Sequence, residues 1–274
     1  MSDLADRLRS IAKSKCLPHL LALPRLAPSA GRLSMVLVGS AATGLCQDGS
    51  DIDIAVVCDS MTYEAIASGT TWAAGKPAED EIGGVQLHYY GVEFDAIQAK
   101  LRDLDDLALY VYGNAVVLWD PEGRYEEQFH WLSEQAEDIR RKRIEGKLDM
   151  LSRRTRALVS LLAEGDILTV ARVCLELITR CLKLAALLDG IPFDPRKRLF
   201  VSALTGDTGR RVEPDLRRLL ACVGDLANLR KSGDFAAFAF PPILRSVVDI
   251  LSDEGGKQGF QVGLDAPDRR QAYE

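Results

Sequence analysis

Histidine is scarce in this chain, and paired cysteine is missing. Three histidines stand at positions 19, 88 and 130. The six cysteines (16, 46, 58, 174, 181 and 222) form no Cys-x-x-Cys pair and no metal-ligand spacing with histidine. A zinc site of the Cys/His kind and a disulfide framework are therefore not expected. Cys174 and Cys181, seven residues apart in an apolar helical pattern, read as core residues. A basic excess is also missing: 34 Lys and Arg stand against 40 Asp and Glu, for a net charge of -6. Proteins that grip long nucleic acid normally carry the opposite balance, so a small acceptor is favoured over a polymer. No apolar run approaches the roughly 18 residues that would suggest a membrane span. The opening MSDLADRLRSIAKSK is charged throughout, without the apolar segment of a secretory signal. The expected compartment is the cytoplasm.

What is present suffices for a substantial core. Of 274 residues, 47% are hydrophobic and 27% charged, and the length suits two domains. Residues 3–22 read as an amphipathic helix disturbed near Pro18, and 24–34 as a loop. Strand-like runs follow at 35–38, 52–58, 85–90, 92–98 and 115–119, with a helix over 60–75 and a polar turn at 76–84. After Asp120-Pro121-Glu122-Gly123 the texture becomes helical. Ile144, Leu148, Leu151, Leu158 and Leu162 mark one face of a long helix. Asp166 reads as the N-cap of an apolar helix over 167–189, which Gly190 and Pro192 end. Further helices fit 213–231 and 242–252. The expected organisation is an α/β (α+β) domain with a mixed sheet over 1–123, an all-α helical bundle over 124–254, and an irregular tail over 255–274.

The segment that carries chemistry is 36–58, VLVGSAATGLCQDGSDIDIAVVC. An apolar strand ends in Gly39-Ser40, a turn that offers backbone N–H groups and a hydroxyl to an anion. Glycine there lets a phosphate approach the backbone closely. A second strand opens with Asp51-Ile52-Asp53. Carboxylates one residue apart on a strand share a face, with Cα atoms about 7 Å apart. Held that close, they repel unless a cation lies between them or one is protonated. A pair of divalent metals is the usual reason to build such a site. A third carboxylate is sought on a later strand, where Val92-Glu93-Phe94-Asp95-Ala96-Ile97 offers Glu93 and Asp95, and Asp95 is taken over Glu93 because the run FDAI resembles a known family pattern.

Gly39-Ser40, the Asp51-x-Asp53 pair after a ten-residue gap and a distant Asp95 together resemble the DNA polymerase beta-like nucleotidyltransferase superfamily. The run SDIDIAV is most similar to its minimal and antibiotic-modifying branches. The resemblance covers roughly 34–98, and the helical part is loosely similar to the helical domains of aminoglycoside and lincosamide nucleotidyltransferases. Minimal members often carry Arg-Gly after the Gly-Ser, where this chain has Thr43-Gly44. The resemblance implies that Asp51 and Asp53 bridge two Mg²⁺ ions (or Mn²⁺) and that Asp95 holds the catalytic metal near the attacking hydroxyl. It also implies that Gly39, Ser40 and Ser50 contact the nucleotide and that a helical-domain lysine, here Lys183, reaches its phosphates. The reaction would pass a nucleoside monophosphate, AMP by first choice, from ATP or another NTP to a small hydroxylated acceptor in a cleft between domains, and release pyrophosphate. Transfer to a protein acceptor, a non-catalytic nucleotide-binding module and an RNA-end nucleotidyltransferase are the alternatives.

Other polar groups read more plainly. The basic stretch 140–156 is either a wall for anions or a solvated helix face, and the second reading is preferred because the charges wrap more than one face. Arg172, Glu176, Arg180 and Lys183 form one stripe at spacings of four, four and three. His88 is read as a packed or exposed strand residue rather than a catalytic one. The Arg-x5-His spacing of Arg124 and His130 is read as chance.

Overall fold

The computed structural model describes residues 2–164, 166–232 and 238–260. The chain divides into two compact units, Met1–Ala136 and Glu137–Glu274.

The first unit opens with α1 (Ser2–Ile11), a π-helical turn (Ala12–Cys16) and α2 (Leu17–Ala22). The disturbance expected near Pro18 lies here. Pro18 has no N–H for the Ser14 carbonyl, and the helix widens over the preceding residues. The segment expected as a loop contains a 3-10 helix, Ala27–Arg32. Then come β1 (Ser34–Val38), α3 (Gly39–Thr43), β2 (Ile52–Cys58), α4 (Ser60–Ala67) and a 3-10 turn (Thr71–Ala74). They are followed by β3 (Ala78–Ile82), β4 (Val85–Glu93), α5 (Phe94–Arg102), α6 (Asp106–Val111), β5 (Val116–Trp119) and α7 (Arg124–Glu134).

Among the described residues the strands form one mixed sheet in the order β3-β4-β2-β1-β5. The β2–β4 pair is parallel and the other pairs are antiparallel. β2 is central and buried on both faces, which is why Ile52–Cys58 reads as an almost unbroken apolar run. Ile52, Ile54, Val56, Leu87 and Tyr89 join Leu8, Ala12, Cys16 and Leu20 in the core on one face. Each such aliphatic side chain contributes about 1.5–3 kcal/mol on burial. Asp53 alternates with them and therefore projects from the other face.

Three boundaries differ from expectation. The polar segment 76–84 contains β3, an edge strand whose alternating exposed positions are acidic, joined to β4 by Gly83-Gly84 with φ of 64° and 74°. Residues 92–98 are not one strand: β4 ends at Glu93 and α5 begins at Phe94. Buried Ile97 and Leu101, with Phe94 half-buried, stand three and four residues apart, a helical period. The domain boundary lies at 136/137 rather than 123/124, because α7 belongs to the sheet unit. Tyr125 is buried there, and its hydroxyl donates to the Tyr112 carbonyl at 2.8 Å.

The second unit contains α8 (Ala136–Glu164, beginning at the boundary), α9 (Ile167–Leu188), α10 (Leu199–Ala203), α11 (Asp207–Ser232) and α12 (Phe240–Lys257). Its core contains Ile144, Leu148, Leu151 and Leu158, with Leu162 packed against them. Asp166 caps α9 as expected, accepting from the N–H groups of Leu168 and Thr169. Cys174 and Cys181 are fully buried, and burial pushes both thiols up to about 12. The tail expected from 255 begins later, since α12 runs to Lys257; residues 261–274 lie outside the described residues. Among the described residues no helix is long and apolar enough to cross a membrane.

Candidate active site

The antiparallel register of β1 and β2 sets Val38 opposite Asp53, so the chain leaves β1 and enters Gly39 directly beside that carboxylate. Gly39 has φ of 73°, and a Cβ built on it would lie 2.7 Å from Asp53 Oδ2. Only glycine satisfies both the left-handed backbone and the bare wall that Asp53 rests against. Ser40 follows as the second residue of α3, half-buried. Ser50 closes the turn that delivers Asp51: its hydroxyl accepts from the Gln47 N–H at 2.8 Å, and its own N–H donates to the Gln47 carbonyl at 2.9 Å.

Asp53 pairs in register with His88 of β4, and His88 with Glu79 of β3. Residues in one row of a sheet project from the same face, so these three side chains form a line across neighbouring strands. His88 Nδ1 lies 3.0 Å from Asp51 Oδ2 and 3.6 Å from Asp53 Oδ1, while Nε2 lies 3.9 Å from Glu79 Oε1. Asp51, Asp53 and His88 each place one ligand atom within 4.8 Å of the others, and all three are half-buried. Two residues beyond His88 on the same face, Tyr90 hydrogen-bonds with Tyr112. Burial raises the Tyr90 phenol far above its ordinary range, and the charge of Asp53 pushes it further.

The side chain that the structure groups with Asp51 and Asp53 is His88, and Asp95 is not part of that group. Because β2 and β4 run parallel, the residue opposite Asp53 must come from the early part of β4; its end lies beside Cys58. Glu93 pairs in register with Cys58, five positions from the Asp53–His88 pair and about 16 Å along the strand. It accepts a hydrogen bond from the Ser60 hydroxyl at 2.6 Å. Asp95 lies beyond it, exposed in the first turn of α5, where a carboxylate suits the helix N-terminus. The signal for His88 was in the strand itself, since Leu87 and Tyr89 face the core and place it on the opposite face with Asp53.

The donor set is selective about what it fits. Two carboxylates and one imidazole within this span suit one divalent ion. They do not make the three-carboxylate cradle expected for two Mg²⁺ ions, because the position opposite Asp53 supplies nitrogen instead of charged oxygen.

Lys183 belongs to α9 in the second unit and is half-buried on the stripe with Glu176 and Arg180. Arg180 Nε donates to Glu176 Oε1 at 3.1 Å, and that bond holds the Glu176 carboxyl below its usual range. The basic stretch of α8 is engaged within its own unit. Arg140 donates to the carbonyls of Leu187 and Leu188 at 3.1 and 3.0 Å and lies over the Phe260 ring. Lys142 pairs with Asp138 and Arg153 with Asp149. Arg124 pairs with Glu122 and His130 with Glu134. A groove of about 340 Å³ lies between α5 and α7, walled by Phe94, Arg102, Arg124 and Trp131 among others. None of Asp51, Asp53 and His88 lines it.

Comparison with known proteins agrees with this geometry. Residues 20–145 match the family described as nucleotidyltransferase domain. No curated protein matches the chain at a significant level. Among solved structures it is similar to a nucleotidyltransferase-like protein from Exiguobacterium sibiricum, at 12% identity and a TM-score of 0.44, over 95% of this chain and 77% of that one. Nothing about this chain's chemistry follows from a likeness that low. The matched span holds the Gly39-Ser40 turn, the Asp51/Asp53 pair and the mixed sheet that joins them, and this part of the chain is a nucleotidyltransferase-like domain of the DNA polymerase beta-like superfamily.

Proposed function

We propose that this protein transfers a nucleoside monophosphate, AMP by first choice, from an NTP to a hydroxyl of a small acceptor and releases pyrophosphate. The observation that carries the reading is the close approach of Gly39 and Asp53, which sets a side-chain-free backbone turn against a carboxylate of the Asp51/Asp53/His88 cluster. A nucleotide triphosphate needs both: donors for its phosphate oxygens and carboxylates for its cation. A divalent ion held there would supply charge stabilisation at the α-phosphate, a contribution of several kcal/mol. Asp51 and Asp53 hold that charge in place, and His88 completes their surroundings. The backbone of Gly39 and the hydroxyl of Ser40 face the β- and γ-phosphates. Ser50 acts one step back by fixing the turn before Asp51.

One observation favours a second reading. His88 reaches both carboxylates directly. The ring could occupy the carboxylates in place of a cation, leaving a module that binds nucleotide without turning it over. Pyrophosphate release decides between them. The full chain is incubated with each NTP, Mg²⁺ or Mn²⁺ and a panel of hydroxylated acceptors, including candidate protein partners examined by mass spectrometry. Release that Asp51→Asn and Asp53→Asn both abolish, with unchanged circular dichroism, supports transfer. Release retained in both variants rejects it. NTP binding by calorimetry without release across the panel supports the binding module.

A further inference from the structure

We infer that His88 makes this centre a one-ion site selective for Mn²⁺ over Mg²⁺, with Glu79 orienting the imidazole. The inference rests on the metal-binding reading of the site proposed above and goes beyond it in the number and kind of ion.

Charge and register carry the first half. Asp51 and Asp53 bring two negative charges, which one divalent ion neutralises. A third carboxylate opposite Asp53 would supply the charge that helps hold a second ion, and the sheet sets His88 there instead. The end of β4 offers no substitute, since Glu93 stands beside Cys58 and is occupied by Ser60. A second ion must therefore arrive with the triphosphate rather than reside on the protein.

Ligand chemistry carries the second half. Mg²⁺ demands a near-ideal octahedron of oxygens and keeps its waters, whereas imidazole suits transition metals. Mn²⁺ accepts carboxylate and imidazole together, and those are the donors that Asp51, Asp53 and His88 bring. The ring is also arranged as a ligand would be. Nδ1 faces both aspartates, and Nε2 faces Glu79 at 3.9 Å, from the next strand in the same row. A carboxylate behind the far nitrogen is the usual support of a metal-bound histidine, because it fixes ring orientation and strengthens the donor. Glu79 is thus a positioning residue and His88 the one that sets metal preference.

The test uses the full chain stripped of metal and titrated with Mn²⁺, with the free ion followed by electron paramagnetic resonance. Bound Mn²⁺ is examined for ¹⁴N coupling, and Mg²⁺ is then added as competitor. The expected result is one Mn²⁺ per chain, ¹⁴N coupling to one imidazole, and poor displacement by Mg²⁺. His88→Ala should abolish the coupling and weaken Mn²⁺ binding by more than about 10–100-fold, the range seen when a residue that only supports a ligand is lost. Glu79→Gln should keep the coupling and weaken binding less. His88→Asp, which keeps a ligand and guards against a folding defect in the alanine variant, should lose the coupling and let Mg²⁺ displace Mn²⁺ more readily. Absence of ¹⁴N coupling in the wild type, two Mn²⁺ per chain without nucleotide, or equal affinity in His88→Ala would overturn the inference. So would a wild type that binds no Mn²⁺. The two proposals fail separately. Coupled Mn²⁺ without pyrophosphate release leaves this inference standing and rejects transfer. Release supported equally by Mg²⁺, with no ¹⁴N coupling, does the reverse.

Discussion

Gly39 and Asp53 come so close that a methyl group on Gly39 would meet the Asp53 carboxylate oxygen at 2.7 Å. The same glycine has φ of 73°, a conformation that costs a side-chain-bearing residue roughly 1–3 kcal/mol. Gly39→Ala should therefore lower unfolding stability by about that amount, and it should displace Asp53 as well. The second effect is read separately, as weakened Mn²⁺ binding measured well below the melting temperature.

Asp95 and Asp53 should behave differently under the same substitution. Asp95 is exposed in the first turn of α5, so Asp95→Asn removes a favourable charge at a helix N-terminus, about 0.3–1 kcal/mol of stability, and touches no ligand atom. Nucleotidyl transfer should stay near the wild-type rate. Asp53→Asn should lose at least about 100-fold, the equivalent of ~2.7 kcal/mol. Steady-state rates of pyrophosphate release compare the two directly. Equal losses would restore Asp95 to the reacting centre.

Arg140 distinguishes structure from binding in the basic stretch. Its guanidinium donates to the last carbonyls of α9, at Leu187 and Leu188, and lies over Phe260. Arg140→Ala should lower stability by roughly 1.5–3 kcal/mol, the range for hydrogen bonds to a charged group, and leave KM for NTP unchanged. Urea unfolding and steady-state kinetics on one preparation test both halves. A raised KM at unchanged stability would assign Arg140 to anion binding.

Asp59 supplies a pH-dependent contribution. It caps α4, accepting from the Thr62 N–H at 2.8 Å. That bond, followed by the Thr62 hydroxyl and Arg32, holds its carboxyl below the ordinary value of 3.8. A folded-state value lower than the unfolded one means that the ionised form stabilises the fold. The contribution is complete above pH 3.8 and is lost as pH falls through the lower folded value. Asp59→Asn keeps a capping oxygen at every pH. Its melting temperature should therefore fall less than that of the wild type on acidification below that range, as followed by thermal unfolding across a pH series.

Local patterns made much of the sheet unit legible. Apolar runs marked β1 and β2 closely because those strands are buried, and burial demands continuous hydrophobicity; β5, half-buried at the sheet edge, is still apolar throughout. The end of β4 was misread because Phe94, Ile97 and Leu101 follow a helical period that a strand reading of 92–98 ignored. β3 was missed because an edge strand exposes half its residues, and here those positions are acidic.

The sequence by itself marked a nucleotidyltransferase-like domain. Gly39-Ser40 and Asp51-x-Asp53 are local motifs, and their geometry follows from strand alternation and from the freedom of glycine. Only the tertiary structure decided what completes them. His88 lies 35 positions beyond Asp53 and meets it because β2 and β4 pair in parallel with one particular register. A shift of that register by one residue would have turned its side chain to the other face. Strand pairing is a long-range choice made by the whole core, and no pattern within a single segment contains it.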